Sequence, residues 1–401
     1  MLRRFTIRQF SFYLLAIGIG IVLSFVLIEI GLRLIGVQPA TYLRKFSQYH
    51  EVLGWEKKPD VEGYFQRGNV KIHEKLNSKG LRSTDYGYDK PANTYRILFL
   101  GDSFTEGYDV EFESLFTTII ENQLNKYYKD AIRIEVINAG TGGYSNDQEY
   151  LFYRLEGYKY SPDLVIMMIY PTNDVYYNAQ NKYGNYSKPK FEIQNDTLIL
   201  TNMPLPEPPS SESFKDLFRG LAIYQFILNN VLSKMPNVTA FLGSSGLVSV
   251  ETAEMATQKG RAPASFSIYD RTYDSATDTA WTITKEILRA TKKTTEKLGS
   301  DFLLFSIPDK FQIYEPNWTA TQKSYKVNDT LWDRSKPEAI LAEFCRKENI
   351  AYINFLDSLK SQKPETSDLY NGVHWNELGN YRAAEVLLRT IISNSYTKVK
   401  N

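Results

Sequence analysis

Five short apolar runs alternate with helix-like stretches along this chain of 401 residues, and this alternation limits the possible folds most strongly. The runs are rich in β-branched and aromatic residues, as buried strands are. They are residues 95–100, 132–139, 163–170, 301–308 and 350–356. The helix-like stretches are residues 115–125, 147–155, 282–298, 337–348 and 377–394. Strands and helices in alternation predict an α/β fold, in which helices cover both faces of a parallel sheet.

An uncharged apolar segment lies near the N-terminus, from Phe10 to Ile28. As a helix it would be about 28 Å long, close to the hydrocarbon thickness of a bilayer. Three arginines and no acidic residue precede it, which places the N-terminus in the cytoplasm. We therefore expect a cytoplasmic tail (1–9), a single transmembrane anchor (10–30) and an extracytoplasmic location for the rest of the chain, in the periplasm or at the cell surface. The alternative is a cleaved signal peptide, although the apolar run is long for one.

Composition excludes several classes of function. The chain has 47 basic and 46 acidic residues and a net charge of +1, so no strong positive field favours nucleic acid as a partner. The single cysteine, Cys345, cannot form an internal disulfide. The sequence contains no Cys/His cluster with the spacing of a metal site, and we expect no metal.

Two regions interrupt the alternation or precede it. Residues 38–94 are rich in Gly, Pro, Lys and Asp, which predicts an irregular or small β lead segment between the membrane and the core. Residues 95–401 would form the main domain, with a large insertion at about 176–280 and a further loop at roughly 309–336. Long loops inside a compact domain are often functional, so we expect both to lie over the active-site edge of the sheet.

Polar motifs follow the predicted strands. They are "GDS" after the first strand, "NAGTGGYS" after the second, "PTND" after the third and "NGVHWN" after the last. Ligands of such sheets bind beyond the carboxyl ends of the strands, so these motifs should converge. Ser103 is the candidate nucleophile, at a turn entering a helix, and His374 is the histidine that lies at this edge to act as its base. Glycine N–H groups and the Asn173 amide could stabilise an oxyanion.

The four motifs, in this order, resemble the sequence blocks of the SGNH or GDSL hydrolases, over about residues 95–175 and 281–395. The resemblance implies a flavodoxin-like three-layer α/β/α fold and acyl-ester hydrolysis or acyl transfer without a metal or organic cofactor. It implies that Ser103 is the nucleophile and His374 the base. It also implies an oxyanion hole formed by Ser103, Gly143 and Asn173.

Two positions depart from the family pattern. Pro171 stands where a glycine usually begins the third block. Asn371 stands three residues before His374, where the family has an aspartate. A neutral amide can hold the imidazole but cannot stabilise its charged form as a carboxylate does. Asp368 is the nearest substitute, and a Ser–His dyad supported by a backbone carbonyl is a second alternative.

The sequence therefore predicts a membrane-anchored serine esterase that removes acyl groups, expected to be acetyl, from an extracytoplasmic carbohydrate or related ester. Two alternatives stay open. One is an O-acyltransferase acting on a cell-surface polysaccharide, since transfer shares the acyl-serine intermediate. The other is a catalytically impaired protein that binds acylated glycans. A lipase ranks lower because no apolar lid stands out, and "LAIYQFILNNVL" (221–232) is the segment that could reverse that order.

Overall fold

The computed structural model describes residues 7–37, 46–67, 70–129, 131–184, 186–195, 197–207, 220–232, 235–244, 262–361, 368–394 and 396. Its strands are β1 Ser47–His50, β2 Gly54–Lys57, β3 Glu62–Arg67, β4 Val70–Lys75, β5 Thr94–Gly101, β6 Arg133–Gly140, β7 Leu164–Ile169, β8 Lys182–Tyr183, β9 Tyr186–Ser187, β10 Lys190–Gln194, β11 Thr197–Thr201, β12 Asp301–Ser306, β13 Ala351–Asn354, β14 Tyr370–Asn371 and β15 His374–Trp375. Its α-helices are α1 Ile7–Leu34, α2 Ser103–Glu106, α3 Phe116–Tyr128, α4 Asn146–Leu155, α5 Pro171–Asn178, α6 Ala222–Asn230, α7 Pro236–Ser244, α8 Ser275–Lys297, α9 Lys310–Ile313, α10 Glu315–Tyr325, α11 Lys336–Lys347, α12 Phe355–Ser361 and α13 Glu377–Ser393.

A parallel sheet forms the centre of the described part of the chain. Its strand order is β13-β12-β7-β5-β6, and all four pairings are parallel. Counted along the chain this is the 2-1-3-4-5 order of flavodoxin-like folds. Each of its five strands lies within two residues of a predicted run at either end. The predicted α/β fold is confirmed.

Alternate side chains of the strands pack into two cores, one on each face of the sheet. On β5, Leu98 and Leu100 belong to one core, together with residues of α4, α8 and α11. Ile97 and Phe99 belong to the other, together with residues of α3, α12 and α13. Because successive strand residues point to opposite faces, the continuous apolar run of β5 supplies both layers. The result is the expected three-layer arrangement.

Helix α8 begins seven residues before the predicted stretch, at Ser275 rather than Thr282. The Asp274 carboxylate accepts a hydrogen bond from Thr277 N at 2.8 Å and so caps the helix. Asp, Ser and Thr at a helix start compete with the backbone in the unfolded chain, and a pattern of apolar residues alone does not mark the cap.

The lead segment forms two antiparallel hairpins, β1–β2 and β3–β4. It does not merely connect α1 to the sheet. Trp55 and Leu53 belong to one of the two sheet cores, and the Lys57 side chain is almost fully buried. Between α5 and α8 lie the hairpins β8–β9 and β10–β11 and the helices α6 and α7. We retain the division into lead segment, main domain and insertion as a proposal.

Helix α1 contains a stretch, Ser11–Leu34, that is long and apolar enough to cross a membrane, and no residue of its 18-residue apolar window is buried against the rest of the described chain. A helix of this kind near an N-terminus is either a signal sequence or an anchor. Residues 1–6 of the expected cytoplasmic tail lie outside the described residues.

Candidate active site

Ser103 and His374 meet at the carboxyl end of β5. The Ser103 hydroxyl oxygen lies 2.7 Å from His374 Nε2, although the two residues are 271 positions apart. The imidazole is 9% exposed, and the rings of Phe104 and Tyr108 pack against it at centroid distances of 5.0 and 5.4 Å. This geometry lets an imidazole nitrogen take the serine proton directly.

A short, capped turn presents the Ser103 side chain. Asp102 precedes it and accepts a hydrogen bond from Phe104 N at 2.9 Å. Helix α2 then ends after a single turn, because Gly107 adopts the left-handed conformation with φ +83°. Ser103 lies at a turn entering a helix, as the sequence predicts, but this helix is one turn long and supplies little dipole.

The Asp102 carboxyl is fully enclosed beside this turn. Burial raises its pKa from 3.8 to about 7, with the hydrogen bond from Phe104 N acting in the opposite direction and the neighbouring Glu106 carboxylate making a smaller contribution in the same direction as burial. Asp102 therefore changes protonation near neutral pH, one position before the serine.

The glycine loop after β6 forms a tight turn beside Ser103. Tyr144 N donates to Thr141 O at 3.1 Å, and Gly143 has φ +79°, which a residue with a side chain rarely adopts. Gly142 N donates to Glu106 Oε2 at 2.6 Å. Since the Gly142 N–H is engaged with Glu106, the next N–H, that of Gly143, is the better candidate for an oxyanion donor.

Asn173 lies in the first turn of α5, directly after β7. Pro171 occupies the first position of this helix, where its missing N–H costs nothing, and this explains the departure from the expected glycine. Asn173 Nδ2 donates to Tyr144 O at 2.9 Å and to Asp174 Oδ1 at 3.2 Å. The amide is thereby fixed against the glycine loop.

Two further carboxyl groups are buried behind Asn173. Asn146 Nδ2 lies 3.1 Å from Glu149 Oε2 and 3.4 Å from Asp174 Oδ2. Burial raises the pKa of both acids well above the usual range, and the proximity of Glu149 raises that of Asp174 further. Both therefore favour the neutral form, which limits the negative charge behind the proposed oxyanion site.

His374 belongs to a two-residue hairpin, β14–β15. Asn371 is its direct cross-strand partner, and Gly372 at the turn has φ +66°. Side chains of directly opposite residues lie on the same face of a β-ladder, with β-carbons about 5 Å apart. Backbone pairing thus places Asn371 directly opposite His374 in the hairpin.

Asp368 lies two residues before this hairpin and makes different contacts. Its carboxylate forms an ion pair with Lys310 and accepts a hydrogen bond from Tyr370 N at 3.0 Å, and its side chain is 52% exposed. Asn376 Nδ2 donates to its carbonyl oxygen at 2.6 Å, which holds the loop to the start of α13. Which of Asp368 and Asn371 supports His374 stays a prediction.

Sequence reasoning missed a group of lead-segment residues beside the glycine loop. Lys57 forms a buried ion pair with Glu106, and Trp55 Nε1 donates to Gly142 O at 3.1 Å. One signal could have found them. Trp55 and Lys57 are two positions apart in "GWEK", so in a strand they point to the same side.

Among the described residues, no group of three or more His, Cys, Asp or Glu side chains is arranged to hold a metal ion.

The sequence of this region matches a known family. Residues 97–201 fit the model of the GDSL-like lipases and acylhydrolases, and this match includes Ser103, Gly143 and Asn173. Over these residues the chain is similar to the GDSL-like lipases and acylhydrolases. A GDSL-like acylhydrolase is an ester hydrolase, and the α/β fold described above is the one that the resemblance implied. No curated protein matches the chain.

Several solved structures resemble this chain at low identity. A lipase/acylhydrolase from Enterococcus faecalis is 12% identical, with 75% of this chain and 96% of that chain covered and a TM-score of 0.37. An acetyl xylan esterase, AlAXEase, is 15% identical, with 74% and 99% covered and a TM-score of 0.39. A two-domain esterase active on acetylated mannans is 12% identical, with 77% and 51% covered and a TM-score of 0.36.

Proposed function

We propose that this GDSL-like hydrolase removes short acyl groups, acetyl above all, from extracytoplasmic carbohydrate esters through an acyl-serine intermediate. The distance of 2.7 Å between the Ser103 hydroxyl and His374 Nε2 is the observation that carries the proposal. A serine hydroxyl is a weak nucleophile until a neighbouring base takes its proton, and His374 is in position to do so.

In the first step Ser103 Oγ attacks the acyl carbonyl carbon while its proton passes to His374 Nε2. The carbonyl oxygen becomes an oxyanion, which the N–H groups of Ser103 and Gly143 would stabilise. The Asn173 amide would join them by exchanging its longer hydrogen bond, that to Asp174 Oδ1 at 3.2 Å, for one to the oxyanion. His374 then returns the proton to the leaving alcohol oxygen, and the acyl-serine forms. Water, deprotonated by the same imidazole, attacks the acyl-serine and releases the carboxylic acid.

Asn371 is the residue that we assign to orienting the imidazole, since it stands three positions before His374, where the family has an aspartate. The cross-strand pairing of Asn371 and His374 supports this assignment. The exposure of Asp368 and its ion pair with Lys310 favour a different role for that residue, in holding the loop. A neutral partner still selects the tautomer, but it stabilises the imidazolium less than a carboxylate does.

The surroundings of Gly143 favour a small acyl group. A β-carbon on Gly143 would lie 3.0 Å from Tyr183 Cε1 and 3.3 Å from Trp55 Cζ2, so two aromatic rings are close to the proposed oxyanion donor. Rings this close to the donor restrict the site to a small acyl group such as acetyl, and Tyr183, which is partly exposed, also offers a flat apolar face to a sugar ring. The extracytoplasmic placement that α1 predicts would bring such polymers within reach.

Hydrolysis of p-nitrophenyl acetate and p-nitrophenyl octanoate by the full chain tests this function. We expect the acetyl ester to be hydrolysed faster than the octanoyl ester. We also expect the protein to release acetate from acetylated xylo-oligosaccharides. Ser103→Ala should abolish both activities and prevent labelling by a fluorophosphonate, with unchanged circular dichroism. Equal rates for the two chain lengths would contradict acyl selectivity, and activity retained in Ser103→Ala would contradict the nucleophile. Acetyl transfer to an oligosaccharide acceptor in place of acetate release would identify a transferase.

A further inference from the structure

The outer end of α1 is bonded to the insertion. The Glu29 carboxylate accepts hydrogen bonds from Ala222 N and Ile223 N, both at 2.9 Å. Arg33 Nε donates to Glu29 Oε1 at 2.7 Å, and Arg33 Nη2 donates to Gly220 O at 3.3 Å. The first N–H groups of a helix have no partner within the helix, so Glu29 supplies the cap of α6.

This contact distinguishes an anchor from a signal peptide. The Glu29 side chain is 13% exposed, although most residues of α1 are open. An acidic side chain near a membrane costs free energy unless it has hydrogen-bond or ionic partners. The backbone N–H groups that bond to Glu29 lie 193 and 194 positions away in the sequence. Cleavage of α1 would remove the cap from α6. The contact therefore favours a helix that stays with the mature chain.

Helices α6 and α7 expose an unusual set of side chains. Residues 220–244 contain a single charged residue, Lys234. Their exposed apolar side chains are 39–71% accessible, namely those of Phe226, Ile227, Val231, Met235, Val238 and Phe241. Water-exposed helices of soluble proteins normally carry charged residues on the open face, and a contiguous exposed apolar patch marks an interaction surface.

We propose that these six side chains form a membrane-binding collar, which lies in the headgroup region of the bilayer that α1 spans. Continuity with α1 indicates that the collar contacts the bilayer. Glu29 fixes the start of α6 at the end of α1, a helix whose apolar residues face outward. Such helices bind by burying their apolar side several ångströms into the interface. The inference rests on the anchored α1 of the proposed function, and it assigns "LAIYQFILNNVL" to the membrane surface rather than to a lid.

Depth-dependent quenching in liposomes tests the collar. Full-length Phe226→Cys and Val238→Cys would be labelled with bimane and reconstituted with phospholipids carrying a nitroxide on the upper acyl chain. Tyr127→Cys is the matched control, since Tyr127 is 59% exposed on α3 of the main domain. The native Cys345 is buried, and burial raises its pKa to about 12, so it should not react. Retained fluorophosphonate labelling would show that each variant is folded.

We expect at least about threefold stronger quenching at positions 226 and 238 than at 127, as for residues within the interface. Glu29→Ala should reduce the quenching at 226 and leave esterase activity unchanged. Quenching at positions 226 and 238 equal to that at 127 would refute the membrane-binding collar. A disulfide between two copies of Phe226→Cys, without quenching by lipid, would also refute it and would indicate that the surface binds a protein. N-terminal sequencing of the extracted protein separates the two failures. Loss of α1 would refute the anchor as well, whereas an intact N-terminus without quenching would refute the collar alone.

Discussion

Lys57 and Glu106 form an ion pair inside the protein, with 5% and 1% of their side chains exposed. Lys57 ends β2 of the lead segment, and Glu106 ends α2, the turn that carries Ser103. The second carboxylate oxygen of Glu106 accepts the hydrogen bond from Gly142 N. The Glu106 carboxylate thus joins the lead segment, the turn that contains Ser103 and the glycine loop.

Replacing Lys57 with Met should damage both stability and activity. The variant keeps the volume but leaves the Glu106 carboxylate buried without its cation, which typically costs about 3–5 kcal/mol. We expect a lower free energy of unfolding and a lower kcat for p-nitrophenyl acetate, with a smaller change in KM, because the glycine loop is displaced. Urea unfolding followed by tryptophan fluorescence, together with steady-state kinetics, measures both effects.

Two comparisons isolate the role of the ion pair. The double variant Lys57→Met/Glu106→Gln should recover much of the stability, since the isolated charge is gone. Lys90→Met removes a more exposed pair with Asp163, with 25% and 32% of the side chains accessible, and should cost about 1 kcal/mol or less. Equal losses in Lys57→Met and Lys90→Met would refute a positioning role for Lys57.

Gly142→Ala should strongly reduce activity. A β-carbon at this position would lie 1.6 Å from the Tyr108 hydroxyl, and the Tyr108 ring packs against His374. Tyr108 or the loop must move, and we expect kcat/KM for p-nitrophenyl acetate to fall at least about 100-fold, the size of effect expected when an oxyanion donor is lost. Gly87→Ala is the matched control, because no atom lies within 4 Å of its β-carbon. If both variants retained wild-type kinetics, the proposed close packing at Gly142 would be wrong.

Asn371→Asp should increase activity. The new carboxylate would lie opposite His374 and stabilise the imidazolium that forms in the transition state, so we expect kcat/KM to rise by about tenfold or more. Asp368→Ala should change it by less than about threefold, since the Asp368 carboxylate is half exposed and engaged with Lys310. A large loss in Asp368→Ala, with no gain in Asn371→Asp, would make Asp368 the supporting acid.

Glu338→Gln should alter the pH dependence of stability. Glu338 is buried on α11 and accepts a hydrogen bond from Gln312 Nε2 at 2.8 Å, and burial raises its pKa from 4.5 to about 8. Between these two values the folded protein keeps a proton that the unfolded chain has released, so this group lowers stability as the pH rises from 4.5 to about 8.

We therefore expect the Tm of the variant minus that of the wild type to be larger at pH 8 than at pH 5, by at least about 2 °C. Differential scanning fluorimetry across this range checks the result. Glu343→Gln on the exposed side of the same helix should not show the gain, because Lys347 holds the pKa of Glu343 below its usual value. A Tm difference that does not vary with pH would show that Glu338 is not held protonated in the folded protein.

Local patterns were sufficient for the sheet and for the positions of the motifs. The apolar runs around Leu98 and Ile166 report burial on both faces of a strand, and the carboxyl ends of parallel strands share one edge. These two facts bring Ser103, Gly143 and Asn173 together without any knowledge of side-chain contacts. Pro171 is also explained locally, since proline suits the first position of a helix.

Contacts between distant segments were decided only by the tertiary structure. No pattern in the sequence links Lys57 to Glu106 or Glu29 to Ala222. Hydrophobic patterns indicate whether a residue is buried, but not which distant residue it contacts. The same limit applies to Asp368, whose position near His374 in the sequence suggested a role that its ion pair with Lys310 makes less favourable. The amino-acid sequence by itself determined the layers, the strand ends and the candidate residues for the chemistry. The tertiary structure decided which charges those residues face and how the lead segment and the insertion hold them, since such pairings depend on how segments far apart in the chain pack together.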